Sequence, residues 1–367
     1  HAVGHRGPGG IVASAWDSHV SPQSKDPKQD RYSLAFATAG NDSVIIWSRD
    51  GRVFTRFHDV TRPAGVAFSS QWFYMAGAEG IVRRAIDIRN REPFGPFLKN
   101  GLIPCIMNFG PPQPFSDLDH CRQIKVTPDG KQLAVTDSSG IWLVDTKDGS
   151  KQLVQQADPN TAFDIDSEGR WLAVGNRGED DGRIHIYDLP QAPEDPIQPT
   201  VTLDAPATAI TFSHVMEDGT VMLGTGNSHS YQFWNVKDDW AELEALAITN
   251  DMDDRQARVV FSPRSTALAV SYNEDKLKVL NPRTTTDRME ILTRPGFDSQ
   301  WPLAISSDGA LIGTEGHDGR LFIWNLQAVR EEFKQLGIDW TTMGGFKKPL
   351  DMRILIGVTT ASSAGEQ

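Results

Sequence analysis

The 367-residue chain sets 36 Lys and Arg against 48 Asp and Glu, a net charge of −12. An acidic balance without a Lys/Arg cluster disfavours nucleic acid as a partner, because affinity for the phosphate backbone comes from counterions displaced by basic side chains. No apolar run approaches the roughly 18 residues that cross a bilayer, so no membrane span is expected. Cys105 and Cys121, 16 residues apart in one insertion, permit a disulfide but form no disulfide framework. Reduced thiols are the cytosolic default, which gives a cytoplasmic expectation.

Taken in chain order, a strand pair closing on an apolar or aromatic residue plus Asp, Asn or Ser recurs seven times. The closing residues are Trp47, Ile86, Val144, Tyr187, Trp234, Leu280 and Trp324, at intervals of 39, 58, 43, 47, 46 and 44 residues. Apart from the second interval, that is the period of a propeller blade. Residues 20–31 form a polar insertion with two Pro. The longest insertion, 91–123, interleaves six Pro with large apolar groups, among them Phe94, Phe97, Ile106, Met107, Phe109 and Phe115. A solvated loop has no use for so many apolar side chains. It is either a partner-docking arm or a loop folded back over the blades.

Turn signals follow the first strands: Thr127-Pro128-Asp129-Gly130, Ser167-Glu168-Gly169, Ser262-Pro263-Arg264 and Ser306-Ser307-Asp308-Gly309. Pro fixes φ, Asp or Ser caps the local backbone, and Gly supplies φ > 0. Residues 207–213, 221–225 and 231–234 read as strand, strand and, after a turn, strand; 302–306, 310–314 and 321–324 repeat the order. The acid-rich stretch 237–256 surrounds Trp240 and Leu243 and is read as an exposed outer strand with a charged turn in preference to an acidic partner surface. Leu326, Val329, Phe333 and Leu336 fall at helical spacing before Gly337, which predicts an amphipathic helix over 327–340. Residues 351–358 read as a strand that closes the seventh repeat, and 359–367 as a disordered tail.

This grammar resembles the WD-repeat (WD40) β-propeller family over residues 4–326. Gly4-His5 is similar to the family's Gly-His dipeptide, with 11–16 following as a first inner strand. The resemblance implies an all-β, seven-bladed propeller of four-stranded antiparallel blades spanning 1–326. It also implies a hydrogen-bonded network within a blade, carried by His5, Thr38, Asp42 and Trp47 in the first repeat and by Thr314, Asp318 and Trp324 in the seventh. Where Val144 and Leu280 replace the closing Trp, apolar packing must substitute. The C-terminal region resembles the ending of WD-repeat regions in large bacterial multidomain proteins, some linked to kinases or other signalling modules.

Linear motifs for chemistry are lacking: there is no HExxH, CxxC, GxSxG or phosphate loop. His185 lies in an alternating run and reads as a strand-face histidine. Glu179-Asp180-Asp181 reads as a widened hairpin turn sooner than as a cation site, since it lacks the spaced carboxylates of a calcium loop. No catalytic residue, metal or cofactor is therefore expected, and the predicted function is a scaffold for a protein or peptide partner. The alternative is a propeller hydrolase or lactonase with a metal or small-molecule site in the central channel. Three or more converging Asp, Glu, Asn or His side chains would mark it.

Overall fold

The computed structural model describes residues 11–16, 35–40, 43–48, 53–69, 71–90, 105–156, 161–175, 182–189, 197–205, 208–213, 219–227, 229–237, 239–243, 246–247, 258–262, 268–273, 276–281, 287–292, 300–305, 311–316, 321–326, 328, 332 and 335. Their strands form seven antiparallel sheets. Blade one is β1 (Ile11–Trp16), β2 (Ala35–Gly40), β3 (Ser43–Ser48) and β4 (Val53–Phe57). Blade two is β5 (Gly65–Phe68), β6 (Trp72–Gly77), β7 (Gly80–Asn90), β8 (Cys105–Phe109) and β9 (Gln113–Ser116). Blade three is β10 (Gln123–Val126), β11 (Gln132–Thr136), β12 (Gly140–Asp145) and β13 (Lys151–Gln156). Blade four is β14 (Phe163–Ile165), β15 (Trp171–Gly175), β16 (Arg183–Asp188) and β17 (Pro199–Asp204). Blade five is β18 (Ala209–Phe212), β19 (Met222–Gly226), β20 (Ser230–Asn235), β21 (Ala241–Glu242) and β22 (Leu246–Ala247). Blade six is β23 (Val259–Phe261), β24 (Leu268–Asn273), β25 (Lys276–Leu280) and β26 (Asp287–Leu292); blade seven is β27 (Gln300–Ile305), β28 (Leu311–Gly316) and β29 (Leu321–Asn325).

The first strands neighbour one another in sequence, β1 with β5, β5 with β10 and so on to β27 with β1, and so close a ring. The core is divided among the seams between blades. Because successive side chains point to opposite faces of a sheet, Val44 and Ile46 pack with Val66, Phe68 and Phe73 of blade two. Their neighbours Ile45 and Trp47 instead meet Leu303, Ala304 and Ile323 of blade seven. Equivalent clusters fill the other five seams. The closing residues thus face the preceding blade: Trp324 packs with Leu277 and Val279, Leu280 with Phe233, and Val144 with Tyr74.

Two closing tryptophans are hydrogen-bonded within their blades: Trp47 Nε1 donates to Thr38 Oγ1 at 2.8 Å and Trp324 Nε1 to Thr314 Oγ1 at 3.1 Å. The corresponding pair in blade five is Trp234 and Thr225, but there Nε1 has no partner among the described residues. In blades three, four and six the register puts Val135, Val174 and Val270 at the threonine position, beneath Val144, Tyr187 and Leu280; in blade two Met75 stands there beneath Arg84, and Ile86, expected from the sequence to close the repeat, lies two residues beyond that position. Thr accompanies Trp in all three cases and an apolar residue accompanies the others; in blade five the buried Thr225 hydroxyl turns instead to the Gln232 carbonyl. His5, Asp42 and Asp318 lie outside the described residues.

At the first turn of the blades a side-chain oxygen accepts the backbone N–H that opens the second strand. Ser69, Thr127 and Ser213 do this with hydroxyls, for Trp72, Gln132 and Met222. Blade four uses the carboxylate of Asp166, which takes the N–H groups of Arg170 and Trp171, both at 2.7 Å. Burial pushes the Asp166 carboxyl above its ordinary range despite those bonds. The folded chain therefore holds this proton more tightly than the unfolded chain. The stability so contributed is full below the unfolded value of about 3.9 and is lost as pH rises through the raised folded value. Asp166→Asn keeps the acceptor and removes the charge. Its melting temperature should exceed the parent's at pH about 7, with the advantage shrinking as pH falls toward about 4 and levelling off below it; a difference that stays constant from pH about 7 to about 4 in thermal melts would contradict this.

Leu326, Ala328, Glu332 and Gln335 have helical backbone, and the other residues of the helix expected over 327–340 lie outside the described set, as do 351–358 and 359–367.

Candidate interaction arm of blade two

The 58-residue interval has its cause in β7. Gly80 to Ala85 pair with β6, but Ile86 to Asn90 run past the blade and pair with β8, in register from Ile86↔Phe109 to Asn90↔Cys105. The chain then turns at 110–112 and lays β9 against Ile81, Val82 and Arg83. Blade two consequently has a split outer edge, and a β7–β8 ribbon extends from it, with residues 91–104 between its two strands.

Two consecutive arginines on opposite faces of β7 fasten this base to the blades on either side. Arg84 grips Asp59 of the blade one connection through two hydrogen bonds, Nε to Oδ2 at 2.7 Å and Nη2 to Oδ1 at 2.9 Å. It also donates to the Gly110 carbonyl and lies 4.6 Å from the Phe57 ring centre. Arg83 is held between the rings of Trp72 and Phe115, at 4.2 and 4.5 Å, and donates to the Thr146 carbonyl of blade three at 2.9 Å. A planar guanidinium that stacks and forks at once suits both positions. Sequence reading missed this clamp; tandem Arg83-Arg84 within the apolar run from Ile81 to Ile86 was the available signal.

The residues proposed for docking separate into two groups. Phe109 packs edge-on against Phe57 and Phe73, with ring centres 5.1 and 5.6 Å away, and Phe115 packs against Tyr74 at 5.7 Å. Both are half-buried in the seams and serve the blade. Ile106 and Met107 lie in β8 with side chains outside the described set, and Phe94 and Phe97 lie outside it altogether. Cys121 is a buried free thiol, so the bridge its spacing permits does not form. Burial pushes it up to about 12, and its S–H donates to the Leu118 carbonyl. Trp240, from the acid-rich stretch, is buried in the seam between blades four and five against Trp171. His185 is half-buried on β16, its Nδ1 3.3 Å from Thr202 Oγ1.

Antiparallel order gives the ring two different faces. One carries the turns between first and second strands and between third and fourth; the other carries the remaining turns and the blade-to-blade connections. On the first face lie the end of β1 with the connection 17–34, the end of β7 with 91–104, and the end of β29 with Leu326 following. These belong to blades one, two and seven, which adjoin. Two insertions and the segment that follows β29, far apart in sequence, thus leave the same face of three consecutive blades.

Along the seven first strands there is a single acidic residue, Asp164, and no His or Asn. Its Oδ1 lies 3.2 Å from Lys125 Nζ of blade three, and its Oδ2 accepts the Phe212 N–H of blade five at 2.8 Å. Gln123 makes a similar stitch, donating from Nε2 to the Phe163 carbonyl at 2.8 Å. These side chains satisfy edge groups of the neighbouring first strands. Among the described residues no group of three His, Cys, Asp or Glu could hold a metal ion, and no helix is long and apolar enough to cross a membrane.

No family model matches the chain, and no curated protein is similar to it. Among solved structures it is similar to the Cps50 (Swd1) β-propeller domain of Myceliophteria thermophila, with a TM-score of 0.56, over 89% of this chain and 98% of that domain, at 15% identity. The fold is that of a WD40-like propeller. At that identity the likeness extends to architecture and no further.

Proposed function

We propose that this propeller is a non-catalytic scaffold that binds a protein or peptide partner in the cytoplasm, as one part of a larger bacterial signalling polypeptide or assembly. The observation that carries the reading is the gathering of two insertions and the segment after β29 on one face of blades seven, one and two. A rigid ring presents them, and variable segments on a rigid support are where recognition concentrates. The lone acidic residue of the first strands is already engaged by Lys125 and a backbone N–H, which leaves those strands without the converging carboxylates that a channel hydrolase needs.

The arm is testable without harming the blade. Asn90 and Cys105 stand directly opposite each other, so a two-residue Asn-Gly turn can replace 91–104 and still close the ribbon. This variant should melt with the parent yet lose the partner that the intact chain retains in affinity capture read by mass spectrometry. A partner held equally by both would remove the arm from the binding surface. Deleting 93–114, by contrast, removes β8, the start of β9 and Phe109, and should unfold blade two.

A further inference from the structure

Arg83 and Arg84 share one plan, which Arg84 completes and Arg83 does not. Each guanidinium lies against aromatic rings, Arg84 on Phe57 and Arg83 between Trp72 and Phe115. Each gives Nη1 to a backbone carbonyl, that of Gly110 for Arg84 and of Thr146 for Arg83. Arg84 then forks its remaining edge, Nε and Nη2, onto the Asp59 carboxylate. The same edge of Arg83 meets no carboxylate among the described residues, and its Nε is buried without an acceptor. We propose that Arg83 is a docking point for an Asp or Glu carboxylate of the protein or peptide partner, gripped side-on as Arg84 grips Asp59.

This inference rests on the scaffold reading above and names the chemistry of the partner. A charged donor withdrawn from water and left unpaired costs more than a neutral one, so a half-buried guanidinium calls for an anion. Arg170 and Arg183, both far more exposed, reach Asp188 and Asp204, whereas Arg83, in a chain of net charge −12, reaches no acid among the described residues. Stacking on both faces fixes the plane of the group, so little side-chain freedom remains to be lost on binding. The Tyr74 hydroxyl stands beside the guanidinium without forming a hydrogen bond that satisfies either group, and it can add an O–H donor to the carboxylate. Position agrees with the role. Thr146, which Arg83 reaches, lies in the turn between β12 and β13, on the face that carries the insertions. The negative charge of the ring as a whole does not forbid an acidic visitor, because physiological salt screens carboxylates farther off than about 8 Å.

Nuclear magnetic resonance of the arginine Nε–Hε groups tests the site in the unaltered full chain. The Arg83 resonance is identified by its nuclear Overhauser contacts with the Trp72 and Phe115 rings. The probes are a terminally blocked Gly-Glu-Asp-Glu-Gly peptide and its Gln/Asn counterpart. The acidic peptide should move the Arg83 resonance saturably, with a Kd on the order of 1 mM that weakens as salt is raised; the amide peptide should leave it in place. Arg83→Lys should weaken binding of the acidic peptide by about tenfold, because an ammonium cannot fork onto a carboxylate. An Arg83 resonance unmoved by the acidic peptide overturns the proposal, as does equal movement with both peptides or an equal response from every arginine. Affinity capture judges the scaffold reading separately. A partner captured by a chain whose Arg83 ignores the acidic peptide keeps the scaffold and rejects the carboxylate site. A specific peptide response in a chain that captures no partner supports the site and counts against the scaffold.

Discussion

Trp47→Ala lowers the stability of this propeller by about 3 to 5 kcal/mol, the range for truncating a buried large aromatic. The indole is 1% exposed and fills the seam where blade one meets blade seven, against Ile45, Leu303, Ala304 and Ile323. Its removal opens a cavity at the junction that joins the first blade to the last, and the Thr38 hydroxyl, itself buried, loses the donor at 2.8 Å. Thr38→Val, which removes only the hydrogen bond and leaves the indole in place, should cost about 1 kcal/mol. Trp324→Ala belongs with Trp47→Ala, since Trp324 is 7% exposed in the neighbouring seam with the same Thr partnership. Denaturant titration of the three variants separates cavity from hydrogen bond. A Trp47→Ala chain that melts with the parent would contradict the placement of this side chain in the seam.

Arg84→Ala should cost about 2 to 3 kcal/mol, less than the loss of a fully buried ion pair partner because water still reaches the site. The side chains of Arg84 and Asp59 are 14% and 20% exposed. Truncation strands the Asp59 carboxylate, frees the Gly110 carbonyl and uncovers the Phe57 ring, so two contacts across the joint between blades one and two fail together with one inside blade two. Arg84→Lys should recover less than half of the loss, because an ammonium cannot fork onto the carboxylate or lie flat on the ring. A double-mutant cycle with Asp59→Ala should return a coupling of about 1 kcal/mol or more. Additive effects of the two substitutions would reduce the pair to a surface contact. The same variant should loosen the ribbon's base, which hydrogen exchange across Ile86–Asn90 and β8 would register as faster exchange than in blade three.

The expected strands at 207–213, 221–225 and 231–234 correspond to β18, β19 and β20 within two residues, because alternation and turn chemistry are local and need no knowledge of neighbours. The long second interval was legible as an insertion but not as a ribbon. Pairing of Ile86–Asn90 with β8 is a contact between segments that nothing in either strand's own pattern specifies, and Pro-rich flanks mask it. Phe109 and Phe115 were grouped with Phe94 and Phe97 on hydrophobicity alone. The turn at 110–112 is what returns the first two to the seams. In the turn of blade four the cap is Asp166, one residue before the Ser167 that the turn signal marks, and only the hydrogen bonds distinguish them.

Sequence by itself determined the repeat, its period and the all-β character, since each of these arises within one blade from residues a short distance apart. Tertiary structure alone decided that the core lies in the seams between blades, that Arg83 and Arg84 fasten blade two in opposite directions, and that Asp164 is engaged by both neighbouring blades. It also decided which face carries the insertions. Those properties depend on closure of the ring, which brings together side chains of successive blades and of the two ends of the repeat array. No periodicity along the chain encodes which groups a closed ring will place opposite one another.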